Sequence, residues 1–400
     1  MDPKDRIFPD GFLWGVATAA HQVEGNNDND WTDWENRGGA KDKSGRACDH
    51  WNLERFRRDV ALAKSLNQNA YRLSLEWSRI MPREGQIDTA ALDRYREMLR
   101  HLKDDGFTTM ATLHHFTNPR WFAEQGGWES GPLPPFLRYV GEAVNALDDY
   151  VDLWGTLNEP TGMAFMGWIQ GQWPPGRKRA FLPCLRVLYR LARTHDAMYG
   201  LISRRSDKPV GLVHSMTSFE PPSLRHADRL LASAVEYLMN QWFLRSTRGD
   251  YIGVNYYTRR RLRLLRYLPL EISEADPEGR ATDFGWEIWP KGIYDVLLSL
   301  KRYRLPVYVT ENGLADAGDI QRASYIRDHL RWLRRAVAAG VPVKGYFHWS
   351  LLDNFEWAEG YSKRFGLIET DFATQERRLR PSALVYAGIA GTNGATLDDD

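Results

Sequence analysis

Short apolar runs rich in Val, Tyr, Thr and aromatic residues recur along the chain, each followed by a stretch of helical periodicity. They predict strands at 12–17, 70–75, 108–113, 151–157, 210–214, 251–256, 306–310 and 343–349. The intervening segments are amphipathic. Phe56, Val60, Ala63 and Leu66 form one apolar stripe at i, i+4, i+7 and i+10, opposite Arg57, Arg58 and Lys64. Asp88 stands where the helix carrying Leu92, Tyr95 and Leu99 needs an N-cap acceptor. Further helices are predicted near 133–147, 181–205, 227–245, 292–303, 319–339 and 382–390. Eight strands alternating with eight helices, without a domain-scale linker, predict an α/β fold: a single (β/α)₈ barrel over 1–400. Its acidic end, about 392–400, reads as a frayed tail. A doubly wound sheet is the competing architecture, but the first strand runs into ATAAHQVEGNN, which lacks the glycine-rich turn of that fold.

Composition changes this picture little. The 53 basic and 52 acidic residues leave a net charge of +1, so no global field favours nucleic acid, a membrane surface or a polyanionic substrate. The basic run Arg259–Arg263 reads as a solvated loop. Cys48 and Cys184 are far apart and offer neither a disulfide framework nor a zinc spacing, so reduced structural thiols are expected. No apolar run approaches the ~18 residues of a membrane span, and MDPKDRIFPDGF has no apolar signal segment. A soluble cytoplasmic protein is the expectation. The 16 Trp, 18 Tyr and 16 Phe could stack on the C–H faces of sugars or fill a large core.

In a barrel of this kind, chemistry sits at the C-terminal ends of the strands. Polar groups gather there: His21 and Gln22, Glu76 and Trp77, His114 and His115, Asn158 and Glu159, Asn255 and Tyr257, Glu311 and Asn312, then Trp349. VDLWGTLNEP and LPVYVTENG each put one glutamate just past an apolar run, on the fourth and seventh strands. Those strands lie roughly opposite each other, so Glu159 and Glu311 can face across the barrel mouth. Two carboxylates flanking a bond are the machinery of glycoside hydrolysis. Repulsion between them would raise the pKa of one and keep a proton available for the leaving group. A lone glutamate at a strand end is more often a helix cap or an ion-pair partner. The pairing, with Asn158 and Asn312 alongside, favours chemistry.

The stretches FLWGVATAAHQVEG, DWTDWE, NAYRLSLEWSRI, TLHHF, TLNEP, YIGVNYYT, VYVTENG and GYFHWSLLDNFEWAEGYSKRFGL carry a likeness that covers nearly the whole chain. In these stretches and their order the chain resembles glycoside hydrolase family 1, the β-glucosidase family. The resemblance implies a retaining β-glycosidase that removes terminal non-reducing β-D-glycosyl residues through a glycosyl-enzyme intermediate. β-Glucosidase activity would come first, with β-galactosidase and β-fucosidase activity alongside. Glu159 would be the acid/base and Glu311 the nucleophile. Arg72 and Tyr257 match positions that hold the nucleophile, Asn158 matches the residue that bonds the sugar 2-hydroxyl, and Asn255 belongs to the same supporting set. Glycone binding carries over to Gln22, His115, Phe116, Trp349, Glu356, Trp357 and Phe365. Among these, Gln22 and Glu356 would grip adjacent hydroxyls and Trp349 would form an apolar floor. No metal or organic cofactor is implied, and the partners are β-glucosides and related oligosaccharides. No oligomeric state is implied.

The chain departs from the family pattern in three places. Phe116 stands where tryptophan is frequent, and so does Thr161, two residues after Glu159. Residues 240–250 are much shorter than usual. That connection leads from a helix into a strand, on the stability face of a barrel, so looser packing is expected there rather than lost chemistry. The aglycone would be bounded by 258–286 and by the loop carrying Trp168 and Trp173. Glu356 beside Trp357 argues against the 6-phospho-β-glycosidase branch, since clustered carboxylates repel a phosphate. A thioglucosidase would lack the acid/base, and a sugar-binding pseudoenzyme would have lost a carboxylate. Neither loss is seen.

Overall fold

A computed structural model describes residues 7–221, 225–263, 271–273 and 280–399. Eight parallel strands close into a barrel in chain order: β1 Leu13–Ala17, β2 Ala70–Ser74, β3 Thr108–His114, β4 Leu153–Asn158, β5 Val210–Ser215, β6 Tyr251–Asn255, β7 Val307–Asn312 and β8 Val343–Trp349. Closure is made by β1, whose Ala17 lies opposite Arg72 of β2 on one side and Trp349 of β8 on the other. Strand alternation sorts the side chains. On β8, Phe347 and Trp349 join Ala17, Ala70, Met110, Leu153 and Tyr251 in one buried cluster. Tyr346 and His348 point the other way, onto Tyr386 of the C-terminal helix. Gly15 is required beneath the Phe347 ring, where a Cβ would come within 2.5 Å of Cδ1.

The outer ring comprises α1 Leu53–Ser65, α2 Thr89–Asp104, α3 Leu133–Leu147, α4 Phe181–Ile202, α5 His226–Glu236, α6 Lys291–Leu300, α7 Arg322–Ala338 and α8 Pro381–Gly391. On α1 the predicted stripe of Phe56, Val60 and Ala63 is buried. Asp88 caps α2 by accepting from Ala91 N at 3.1 Å. The helix expected over 227–245 is not continuous. After α5 the chain widens into a π turn at Tyr237–Gln241 and resumes as Trp242–Arg245. Here Asn240 donates to Thr217 O at 2.7 Å, and Gln241 accepts from Tyr303 Oη at 2.8 Å.

Two expectations are corrected. Arg259–Arg263 is a strand rather than a solvated loop, paired with Ser218–Glu220 and Glu271–Ser273. Arg259 is buried between Glu220 at 2.7 Å and Glu287 at 2.6 Å, with its guanidinium 3.4 Å from the Trp289 ring centroid. Those two carboxylates supply the pairing that a buried guanidinium needs. The acidic tail does not fray either. Leu397 is fully buried, Asn393 donates to Phe8 O at 2.7 Å, and Asp398 pairs with Arg334 at 2.7 Å. Asp400 lies outside the described residues.

The shortened connection before β6 borders a cleft of about 320 Å³. Leu244, Thr247 and Gly249 line it together with Tyr199, Leu212 and Leu305. It lies at the N-terminal ends of β5 and β6, away from the catalytic mouth. Among the described residues no helix is long and apolar enough to cross a membrane, and no cluster of His, Cys, Asp and Glu could hold a metal ion.

Candidate active site

Both strands that carry the paired carboxylates are irregular next to them. The β4–β5 register slips between Gly155 and Asn158, and the β6–β7 register slips between Val309 and Glu311. Such irregularities re-aim side chains at barrel rims. Glu159 adopts a left-handed backbone, φ 43° and ψ 53°, before Pro160 opens a short helix. Its N–H donates to Val213 O at 2.8 Å, which holds the strained turn in place.

Arg72 organises the floor from inside the barrel, where it is fully buried. It donates to Glu311 Oε1 at 2.5 Å, Asn158 Oδ1 at 2.8 Å, Thr112 Oγ1 at 3.1 Å and Thr310 O at 3.3 Å. Tyr257 donates to the other Glu311 oxygen, Oε2, at 2.6 Å. Both lobes of Glu311 are thereby oriented. Arginine carries only donors, so Asn158 must turn its oxygen to Arg72 and its amide nitrogen to His115 Nε2, 3.0 Å away. His115 Nε2 therefore accepts, and its proton sits on Nδ1, which has no partner among the described residues. Burial and the Arg72 charge hold this imidazole well below its usual pKa, so it is a neutral donor with a free N–H.

Gln22 is arranged in the opposite sense. Its amide nitrogen donates to Phe355 O at 2.9 Å, Asn354 Oδ1 at 3.0 Å and Glu356 Oε2 at 3.3 Å, leaving Oε1 unpartnered. A free acceptor and a free donor thus line one wall, as a polyol requires. Glu159 accepts from Asn255 Nδ2 at 2.8 Å. Its pKa is pushed from 4.5 to about 8, mainly by burial and next by the Glu311 charge, against hydrogen bonds from Asn255 and Ser215 and the Arg72 charge. The Glu311 charge raises Glu159 as expected, and desolvation adds a larger push in the same direction. Glu356 is also raised to about 8, by burial and then by Glu311.

These groups surround a pocket of about 270 Å³. Of the residues singled out in the sequence, Gln22, His115, Phe116, Asn158, Glu159, Tyr257, Glu311, Trp349, Glu356, Trp357 and Phe365 line it. Arg72 and Asn255 act on it from the layer beneath. Other polar strand ends face elsewhere. His21 bonds Glu35 at 2.8 Å, Glu76 caps Trp77–Ile80 and accepts from Thr117 at 2.8 Å, and His114 bonds Asn118 at 3.1 Å. Asn312 donates to Tyr256 O at 2.7 Å. Sequence reasoning missed Ser215 at the end of β5, Thr217 just beyond it, and Phe165 and Met166 in the helical segment that follows β4, while Arg260 of the strand Arg259–Arg263 also lines the pocket. Ser215 and Thr217 had only their position near a strand end as a signal, and Phe165 and Met166 had none beyond apolar character. Phe284 and Trp286 stack at 4.3 Å and 11° on the outer rim. Thr161 is buried and does not line the pocket.

Residues 4–266 and 249–395 match the family model described as Glycosyl hydrolase family 1. The chain belongs to glycosyl hydrolase family 1. Within this family it is similar to a 1,4-beta-D-glucan glucohydrolase of Thermotoga neapolitana, 33% identical over 97% of this chain and 99% of that protein. It is also similar to a beta-galactosidase of Saccharolobus solfataricus, 33% identical over 98% and 96%. Among solved structures it resembles a beta-glycosidase from Pyrococcus horikoshii, with a TM-score of 0.90 and 38% identity, covering 97% of this chain and 96% of that one. The glucohydrolase alignment runs over 443 positions, more than the 400 residues of this family 1 chain, so the relative carries residues that this chain lacks. The two overlapping pieces of the family match meet beside β6, where the connection is short.

Proposed function

We propose that this family 1 enzyme is a retaining β-glucosidase that also accepts β-galactosides and β-fucosides, with Glu311 as nucleophile and Glu159 as acid/base. One observation carries the assignment of roles. Glu311 is held through both oxygens by Arg72 and Tyr257, while Glu159 has its pKa raised to about 8 and so holds a proton at neutral pH. Glu311 attacks the anomeric carbon as the bond to the leaving oxygen breaks, and Glu159 gives that oxygen its proton. Glu159 then takes a proton from water, whose oxygen attacks the same carbon and releases Glu311. The free Nδ1–H of His115, the free Oε1 of Gln22 and Glu356 would bind glycone hydroxyls, over Trp349 as an apolar floor. Asn158, already oriented by Arg72, would meet the 2-hydroxyl. Both cysteines are free and buried, in keeping with a cytoplasmic enzyme.

Initial rates on nitrophenyl β-glucoside, β-galactoside, β-fucoside and 6-phospho-β-glucoside test this reading. The unphosphorylated glycosides should release nitrophenol, and Glu311→Ala should lower kcat by at least ~10³-fold. Azide added to Glu311→Ala should yield the α-glycosyl azide, and added to Glu159→Ala the β-glycosyl azide. The reverse pattern would exchange the two roles, and no release from any glycoside by folded enzyme would refute the activity.

A further inference from the structure

Beside the catalytic pocket lies a second cavity of about 350 Å³, and Phe116 and Trp173 line both. Its walls come from the segments that follow β1, β3 and β4. Five indoles bound it, of which Trp31, Trp128 and Trp168 are fully buried and accounted for by packing. Trp31 tilts on the Trp357 ring at 4.7 Å, and Trp128 meets His114 edge-on at 5.0 Å. Trp34 and Trp173 are only half-buried. Trp34 is seated between Gly39 and Gly176, where a Cβ at either position would collide with the ring. The two accessible indoles give the cavity aromatic surface of the kind that sugars use.

The polar groups narrow the choice of occupant. The charges that line it nearly balance, with Arg37, Arg120 and Arg177 against Asp30, Asp33, Glu124 and Glu129, and several of them are paired. Arg120 bridges Asp28 at 2.8 Å and Asp33 at 3.0 Å, and Glu129 accepts from Arg177 at 3.1 Å and from Trp168 Nε1 at 3.2 Å. An ionic ligand would therefore find little excess charge. What is left over is donors: Arg120 Nε and the indole N–H groups of Trp34 and Trp128 are buried without a partner among the described residues. A buried donor left unpaired costs about 1–3 kcal/mol, so the cavity favours an occupant that brings neutral acceptors together with apolar C–H faces. A pyranose has both. The volume lies near the lower end of small-molecule sites, roughly 300–1,000 Å³, and so suits a single ring rather than an oligosaccharide.

We propose that this cavity is a second sugar-binding site that takes one free neutral hexopyranose and reports to the catalytic pocket through the shared Phe116 and Trp173. The choice of hexose rests on the glycosidase reading above, because hydrolysis releases that molecule next door. Phe116 packs on Trp173 at 4.7 Å and on Trp357 at 5.0 Å, so a ring seated against Trp173 bears on the glycone wall.

The test separates the two pockets. The enzyme is trapped with 2,4-dinitrophenyl 2-deoxy-2-fluoro-β-D-glucoside, the adduct mass verifies that the glycone pocket is blocked, and glucose is titrated while tryptophan emission and saturation-transfer NMR are followed. The trapped enzyme should still bind glucose saturably in the millimolar range. Trp34→Ala should weaken that binding at least tenfold, with kcat and KM for nitrophenyl β-glucoside within twofold of wild type in the absence of glucose. Trp34→Phe, which retains a ring but lacks the indole donor, should weaken it less and guards against misfolding of the alanine variant. Absence of saturable binding in the trapped enzyme, or equal binding by both variants and wild type, overturns the proposal. Failure of the adduct to form would count against the double displacement and not against the cavity. The same titration would then be run on Glu356→Ala, whose glycone grip is removed, with the same two outcomes decisive.

Discussion

Replacing Glu159 by glutamine should cost activity and, at alkaline pH, raise stability. The carboxyl holds its proton up to about pH 8 in the folded protein, against 4.5 for its ordinary value. Between those limits unfolding releases a proton, so wild-type stability falls as pH rises through the window and is level above it. At ~1.4 kcal/mol per unit of pKa, the window amounts to about 5 kcal/mol at most. Glutamine mimics the neutral carboxyl in shape and does not titrate, so the variant escapes this loss. With an unfolding entropy of ~2.1 cal/mol/K per residue, a chain of 400 residues moves its Tm by about 1 °C per kcal/mol. Scanning calorimetry from pH 5 to pH 9 should show near-equal Tm values at the acid end and a variant advantage growing to about 5 °C at the alkaline end. Parallel Tm curves across that range would refute the claim that burial of Glu159 is resisted by the fold. The same proton should set catalysis, with wild-type kcat/KM falling above about pH 8. Glu159→Gln should lose far more rate on alkyl glucosides, whose leaving oxygen needs a proton, than on dinitrophenyl glucosides, which do not.

Three further outcomes follow from particular contacts. Asn255 donates to Glu159 and favours its ionised form, so Asn255→Ala should move the alkaline limb of kcat/KM upward, and a downward move would contradict the geometry. Deleting 396–400 removes the buried Leu397 and the Asp398–Arg334 pair, which together contribute about 2–4 kcal/mol. Tm should drop by a few degrees, and an unchanged Tm would mean that the tail contributes nothing. The cleft of about 320 Å³ beneath β5 and β6 should make their amide hydrogens exchange faster than those of β2 and β3, read by hydrogen-exchange mass spectrometry. Equal protection would show that the short connection before β6 leaves local packing intact.

Local pattern determined a great deal of this protein. Alternating strand and helix periods specify the barrel, since each element encodes its own buried face. That is why β8 was bounded to the residue and Asp88 was recognised as a cap. Chain order alone puts Glu159 after β4 and Glu311 on β7, at the mouth where barrel chemistry sits. Tertiary structure decided what periodicity cannot encode. Periodicity does not say which of two adjacent polar residues faces inward: His115 and Gln22 enter the pocket while His114 and His21 become packing partners, and Asn158 and Glu159 both enter it. Ser215 reaches Glu159 only because β5 lies beside β4. Arg259 finds Glu287, and Asp398 finds Arg334, through space across folds of the chain, which turns an apparent loop into a strand with a buried arginine and an apparent tail into a clasp. The proton on Glu159 is the clearest case. Its affinity is set by the water that the surrounding walls exclude and by a second carboxylate brought alongside, and both depend on residues remote in sequence and adjacent only in the closed barrel.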